Sequence, residues 1–212
     1  MKGKREEFHA QGFTLIELML AIAIAGIVMA SFYSVYISQQ SSYLRQEEVA
    51  GMHQNIRSAM YHMGREIRMA GLDPKGTAGE NVEPKPPLGT GEWDPGEWIH
   101  SSSDSEKIRF REDVRGKDPG DPPDGDTGDS NEDITYTLDD KDGDGDTDLV
   151  RNNYLIAENI KSLIFNYLDG TGAPTVTLSA IRFVDIKLIA VTDNGTSDRT
   201  MTARIHCRNL GY

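Results

Sequence analysis

The sequence has a single cysteine, Cys207, so no disulfide can form within the chain. It also contains no P-loop for nucleotide phosphates and no nucleophile motif, and its 5 histidines include no pair at metal-ligand spacing. These absences predict a protein that is not an enzyme. They also mean that the chain of 212 residues must be stabilised by an apolar core, a bound metal or neighbouring molecules.

Charge is nearly absent from residues 13–44, where Glu17 is the only charged side chain. Residues 18–37 form a run of 20 residues in which two serines are the only plainly polar members. A helix rises about 1.5 Å per residue, so this run can cross the roughly 30 Å hydrocarbon layer of a bilayer. We predict a membrane helix, with the basic leader of residues 1–12 on the cytoplasmic side.

Proline is absent from residues 13–70, which predicts one long helix that ends at Gly71. We divide this helix into a transmembrane half, residues 13–44, and an amphipathic half, residues 45–71. In the second half apolar side chains recur at steps of three and four residues, the spacing of one helix face. They are Val49, Met52, Ile56, Met60, Met63, Ile67 and Ala70.

The remainder divides into residues 72–105, a Gly/Pro-rich connecting loop that contains Trp93 and Trp98, and a head of residues 106–212. Short alternating segments in the head predict an antiparallel sheet with one buried face. We therefore expect an α+β fold in which the long N-terminal helix packs on a C-terminal antiparallel β-sheet. The alternating residues are Ile108 and Phe110; Ile134, Tyr136 and Leu138; Leu163, Phe165 and Tyr167; Val184, Ile186, Leu188 and Ala190; and Met201, Ala203, Ile205 and Cys207.

The net charge of -12 comes from one segment. Residues 118–148 hold 13 of the 34 acidic residues and 1 of the 22 basic ones, so the rest of the chain has 21 of each. The negative net charge of the whole chain argues against nucleic acid as a partner. Prolines among the acids predict local disorder in residues 118–133. The acids Asp124, Asp126, Asp129 and Glu132 are expected to form a solvated surface there.

The end of the acidic segment has the spacing of a calcium loop, with alternate acids and Gly145 in the sixth place. We predict a Ca²⁺ site in a connection between strands; the alternative is a solvated acidic hairpin. The twelfth place holds Arg151 in place of the usual Glu, so a full EF-hand is not expected. The predicted ligands are Asp140, Asp142 and Asp144, with Asp146 through its backbone carbonyl and Asp148 directly or through water.

Gly12, Phe13 and Glu17 stand at the start of the apolar run, in the string Gly-Phe-Thr-Leu-Ile-Glu. This string resembles the class III signal of type IV pilins and pseudopilins. The resemblance implies cleavage by prepilin peptidase after Gly12, methylation of the new amine of Phe13, and pairing of Glu17 with the amine of an adjacent subunit. The alternative for Glu17 is an interfacial acid stabilised by the helix dipole alone.

Later segments are similar to PilW-like minor pilins. This resemblance implies a minor subunit in the priming or tip complex of a type IV pilus. Its partners would be membrane lipid, an inner-membrane assembly platform, and other minor and major pilins. It would cross the inner membrane once, with its head in the periplasm, before it reaches the cell surface. The segments are residues 65–71, 134–138, 149–151, 160–167 and 208–209.

Two alternatives remain open. Pseudopilin J of type II secretion shares a similar plan, and its filament is a pseudopilus. A calcium-dependent tip adhesin would use the acidic loop for attachment. Major pilins often have a proline in the apolar helix and a C-terminal disulfide pair, and this chain has neither, which favours a minor subunit.

Overall fold

The computed structural model forms two compact units, Met1–Glu47 and Glu48–Tyr212. Most of the leader and of the Gly/Pro-rich loop, with Trp93, lie outside the described residues, so the predictions made for them stay predictions. The structure describes residues 12–76, 98–99, 103–116, 118, 120–129 and 131–210.

Helix α1, Leu15–Met69, is a single α-helix of 55 residues, which confirms the predicted long helix. It contains an 18-residue window that is apolar enough to cross a membrane, and no residue of that window is buried. Gly71 ends the helix with a φ of 77°, a left-handed conformation that glycine adopts without steric cost. A Cβ atom there would also lie 2.8 Å from Leu210 Cδ2 and 3.3 Å from the Asn209 carbonyl oxygen, so the closing turn favours glycine.

The second unit contains two antiparallel sheets, in the orders β1-β2-β3-β4 and β5-β6-β7. This confirms the α+β fold, although the sequence analysis expected one sheet. The chain leaves the first sheet at Asn159, whose φ of 58° turns it from β4 into β5. The strands are β1 Ile108–Arg111, β2 Asp133–Asp139, β3 Asp148–Arg151, β4 Tyr154–Ala157, β5 Ile160–Leu168, β6 Phe183–Val191 and β7 Asp198–His206, with a 3₁₀ turn at Leu178–Ala180.

The hairpin of β3 and β4 was not predicted from the sequence. These strands have four residues each, too few for alternation to be recognised. Their turn is made by Asn152 and Asn153, with φ values of 46° and 72°. Two consecutive residues at positive φ are typical of a two-residue hairpin turn, and asparagine tolerates this conformation. The Asn-Asn pair was therefore the available signal.

The core of the second unit lies between the amphipathic face of α1 and the inner faces of the strands. The predicted helix face is confirmed, since Met52, Ile56, Met60, Met63, Ile67 and Ala70 are all buried. Full burial of one large apolar side chain contributes about 1.5–3 kcal/mol. The largest fully buried side chains of the strands are Tyr136, Phe110, Phe165, Ile108, Ile134, Leu149, Ile160 and Leu163.

We expect Ile56→Ala to lower the free energy of unfolding by about 2–5 kcal/mol, because it leaves a cavity at a side chain that is 1% exposed. The measurement is urea unfolding of the full-length protein in detergent micelles, followed by near-ultraviolet circular dichroism. Tyr61→Ala on the same helix is the matched control. Tyr61 is 70% exposed, so this change should shift the free energy by less than about 0.5 kcal/mol. Equal effects of the two changes would contradict the assigned helix face.

Candidate functional site

The N-terminus of α1 is closed by Thr14 and Glu17. The Thr14 carbonyl accepts the first helical hydrogen bond, from the N–H of Leu18 (3.2 Å). Glu17 Oε2 accepts the N–H and the hydroxyl of Thr14, both at 2.8 Å, and the Glu17 N–H donates to Thr14 Oγ1 at 3.3 Å. This reciprocal arrangement is a capping box, which satisfies donors that the first helical turn leaves free. The role of Thr14 was not predicted from the sequence, although Thr-x-x-Glu before an apolar run is the signature of a capping box.

The cap uses only one oxygen of the Glu17 carboxylate. Both bonds from Thr14 reach Oε2, and no donor among the described residues reaches Oε1. Phe13 is 91% exposed immediately before the cap. The structure therefore holds a negative charge at the helix N-terminus, where the dipole favours it, with one oxygen open to a further donor.

The predicted calcium ligands lie in the connection between β2 and β3. Asp140, Asp142 and Asp144 each offer a carboxylate oxygen, and these oxygens lie within 4.8 Å of one another. The carboxylates also bind the loop backbone: Asp140 accepts the N–H groups of Gly143 (2.8 Å) and Gly145 (3.2 Å). All three acids are exposed, so water can solvate them as well as an ion can.

The other predicted members have different positions. Asp148 is buried, and its two oxygens accept the N–H groups of Lys141 (3.1 Å) and Asn159 (3.2 Å), so it closes the base of the loop. Asp146 is exposed and donates its N–H to Asp144 Oδ1 at 2.9 Å. The structure thus brings together three of the five predicted ligands, and calcium binding here stays a prediction.

The pKa of Asp142 reflects the crowding of acids in this loop. The N–H of Asp144 lowers this pKa, but partial desolvation and the negative charges of Asp144 and Asp148 outweigh that effect and raise it. The carboxylates of the loop therefore repel one another in the absence of a cation. Repulsion alone does not distinguish an ion site from a solvated hairpin.

Residues 8–33 match a known family model, the prokaryotic N-terminal methylation motif. The motif supports a type IV pilin-like or pseudopilin protein. It includes Gly12, Phe13 and Glu17, and it implies processing by prepilin peptidase and assembly with other pilins. Proteins with this motif are structural and not enzymatic, and the apolar part of α1 fits a membrane-anchored pilin. No curated protein and no solved structure matches the chain.

In the head, α1 is joined to the first sheet by a polar network around Glu66. Arg151 Nε lies 2.8 Å from Glu66 Oε2, and the Tyr136 hydroxyl donates to the same oxygen at 2.6 Å. Burial, followed by the negative charge of Glu66, raises the pKa of Tyr136, so its hydroxyl stays protonated as a donor. Arg151, at the twelfth position of the predicted calcium loop, thus anchors β3 to α1.

We expect Arg151→Ala to lower the free energy of unfolding by about 3 kcal/mol, because it leaves the Glu66 carboxylate without its cation in a site where both side chains are at most 20% exposed. Arg204→Ala is the control. Arg204 pairs with Asp185 at 2.6 Å but is 58% exposed, so solvent screens this pair and its loss should lower the free energy of unfolding far less than the loss of Arg151. Urea unfolding of the full-length protein measures both, and a smaller loss for Arg151 than for Arg204 would contradict the assigned network.

Proposed function

We propose that this protein is a minor pilin that is cleaved after Gly12 and incorporated into a type IV pilus, in its priming or tip complex. The observation that supports this proposal best is the position of Glu17. Its carboxylate is fixed at the start of an apolar helix, four residues beyond Phe13, inside the matched motif. The similarity of the later segments to PilW-like minor pilins supports a minor role over a major one.

Cleavage after Gly12 frees the amine of Phe13 at the start of α1. A carboxylate in the apolar zone costs about 2.5–3.5 kcal/mol at mid-bilayer depth, and less near the edge. The bonds from Thr14 offset part of this cost within one subunit. The amine of an adjacent subunit offsets more, because Oε1 has no donor among the described residues of its own chain. Pairing of this kind sets the register of subunits as they leave the membrane.

The proposed location follows from the same arrangement. Residues 18–37 cross the inner membrane, with the leader in the cytoplasm and the head in the periplasm. Prepilin peptidase, the inner-membrane assembly platform and other minor and major pilins are the proposed partners. Assembly then moves the head to the cell surface on a filament.

We expect Glu17→Gln to leave cleavage after Gly12 intact and to reduce the amount of this protein in sheared filaments. A neutral amide retains acceptor capacity for the cap but does not attract an ammonium group. Immunoblots of filament and membrane fractions measure incorporation, and intact-mass spectrometry measures cleavage. Thr14→Ser, which keeps the capping hydroxyl, is the matched control and should incorporate normally. Normal incorporation of the Glu17→Gln protein would contradict the docking role.

Deletion of the gene should reduce the number of surface pili, because a priming or tip subunit starts the filament, and the intact gene should restore them. Electron microscopy counts the pili. Unchanged piliation with lost protein secretion would instead support the pseudopilin J-like function. Unchanged piliation with weaker calcium-dependent attachment would support the tip adhesin, an alternative favoured by the grouping of Asp140, Asp142 and Asp144.

A further inference from the structure

A second group of acids lies in the connection between β1 and β2. Asp124, Asp126 and Asp129 each offer a carboxylate oxygen, and these oxygens lie within 4.8 Å of one another. A solvated and locally disordered surface is predicted for this connection from the sequence. The structure differs, because Gly125 and Thr127 in the same stretch are buried.

The two ends of this connection are held together by the sheet. Arg111 of β1 pairs with Asp133 of β2, and the N–H of Glu112 donates to the carbonyl of Glu132 at 3.0 Å. The residues next to this closure, Asp113 and Glu132, therefore lie at the base of the connection. Both are 0% exposed.

The carboxylate of Asp113 lies beside the group of acids, although its oxygens are not among those within 4.8 Å of one another. Its Oδ2 accepts the N–H of Gly125 at 3.1 Å, and Gly125 stands between Asp124 and Asp126 in the chain. Its Oδ1 is buried without a hydrogen-bond partner. The backbone of Asp113 is fixed as well, since its N–H donates to the carbonyl of Leu72 at 2.8 Å. One oxygen of a rigidly held carboxylate is thus left unsatisfied beside three acids.

Glu132 repeats this pattern from the other end of the connection. Its Oε1 accepts the N–H groups of Val114 (3.1 Å) and Arg115 (3.2 Å), and its Oε2 is buried without a partner. Its own N–H donates to the carbonyl of Asp129 at 3.3 Å, which places its backbone next to one of the three acids. Burial raises the pKa of both Asp113 and Glu132, as expected for carboxylates that lack a compensating charge.

Buried carboxylates are normally paired with a cation or bound to a metal. Among the described residues, the structure records no ion pair to Asp113 or Glu132. Lys75 lies nearby, but its Nζ donates to the backbone carbonyl of Asp124 at 3.1 Å. Glu112 also has an oxygen without a partner, and this side chain interacts with Glu66, Arg151, Glu132 and Arg65.

We propose that Asp113, Asp124, Asp126, Asp129 and Glu132 form a Ca²⁺ site. Calcium takes about 6 to 8 oxygen ligands in flexible geometry, which five carboxylates with neighbouring carbonyls or water can supply. Magnesium requires strict octahedral geometry and retains several waters, so it suits this crowded set less well.

The loop of Asp140, Asp142 and Asp144 lacks the feature that supports this site. The buried acid at its base, Asp148, has both oxygens satisfied by N–H groups. The β1–β2 connection therefore differs from the β2–β3 connection in having two buried carboxylates, Asp113 and Glu132, that each keep one oxygen without a hydrogen-bond partner. A cation bound in the former would tie the end of α1, through Leu72 and Lys75, to the first sheet.

The test is calorimetric titration of CaCl₂ into the full-length protein in detergent micelles at neutral pH, after removal of bound cations with a chelator. We expect the wild-type protein to bind Ca²⁺, and Asp113→Asn to weaken this binding by at least about tenfold. Asp142→Asn, the matched control in the other acidic loop, should leave the same binding event unchanged. An Mg²⁺ titration should show weaker binding than Ca²⁺.

A second variant guards against misfolding. Asp126→Asn changes the loop and not its base, and it should weaken Ca²⁺ binding in the same way. Circular dichroism with chelator present should show the same folded spectrum for all three variants. The proposal is overturned if the wild-type protein binds no Ca²⁺, if both Asp113→Asn and Asp126→Asn bind it as the wild type does, if only Asp142→Asn loses it, or if Mg²⁺ binds as tightly.

Discussion

The buried face of α1 from Met52 to Ile67 is the contact on which the second unit depends. With one cysteine in the chain, no disulfide joins the two sheets, and neither sheet has enough strands to enclose a core alone. Side chains of both sheets share one apolar cluster with this helix face. Loss of that contact would expose the inner surfaces of both sheets to water, so the fold of the head is tied to the continuity of the helix.

Apolar contact alone does not fix the rotation of a helix on a sheet, and polar contacts at several points along α1 do so here. Asn55 donates to the carbonyl of Glu158 at 3.0 Å, where the chain passes between the sheets. Glu66 pairs with Arg151 one helical turn before the helix ends. Near the chain's last described residues, the Asn209 side chain donates to the carbonyl of Met69 at 3.2 Å. Each contact is directional, so together they select one register of the helix face.

Features set by local periodicity could be predicted from the sequence, and features set by distant pairing could not. The helix face and the alternation in β6 follow from spacing, because each side chain's direction depends on a few neighbours. Glu66, the partner of Arg151, is 85 residues away in the chain. Local spacing instead placed Arg151 at the twelfth position of a calcium loop. Burial of Asp113 depends on the pairing of β1 with β2, which brings Glu132 beside it. The capping box is local and has a recognisable signature, Thr-x-x-Glu before an apolar run, although it was not predicted.

The carboxylates of this protein divide by how their two oxygens are used. In Asp148 both oxygens accept backbone N–H groups, and in Glu66 both accept bonds from Arg151, so these two acids are structural. In Glu17 and Asp113 one oxygen is fixed by a neighbouring backbone donor while the other has no donor among the described residues. The fixed oxygen orients the group, and the second oxygen remains available to a cation. We propose an amine of another subunit for the first, since that carboxylate lies at the N-terminus of an apolar helix, and a metal ion for the second, since three further acids lie beside it.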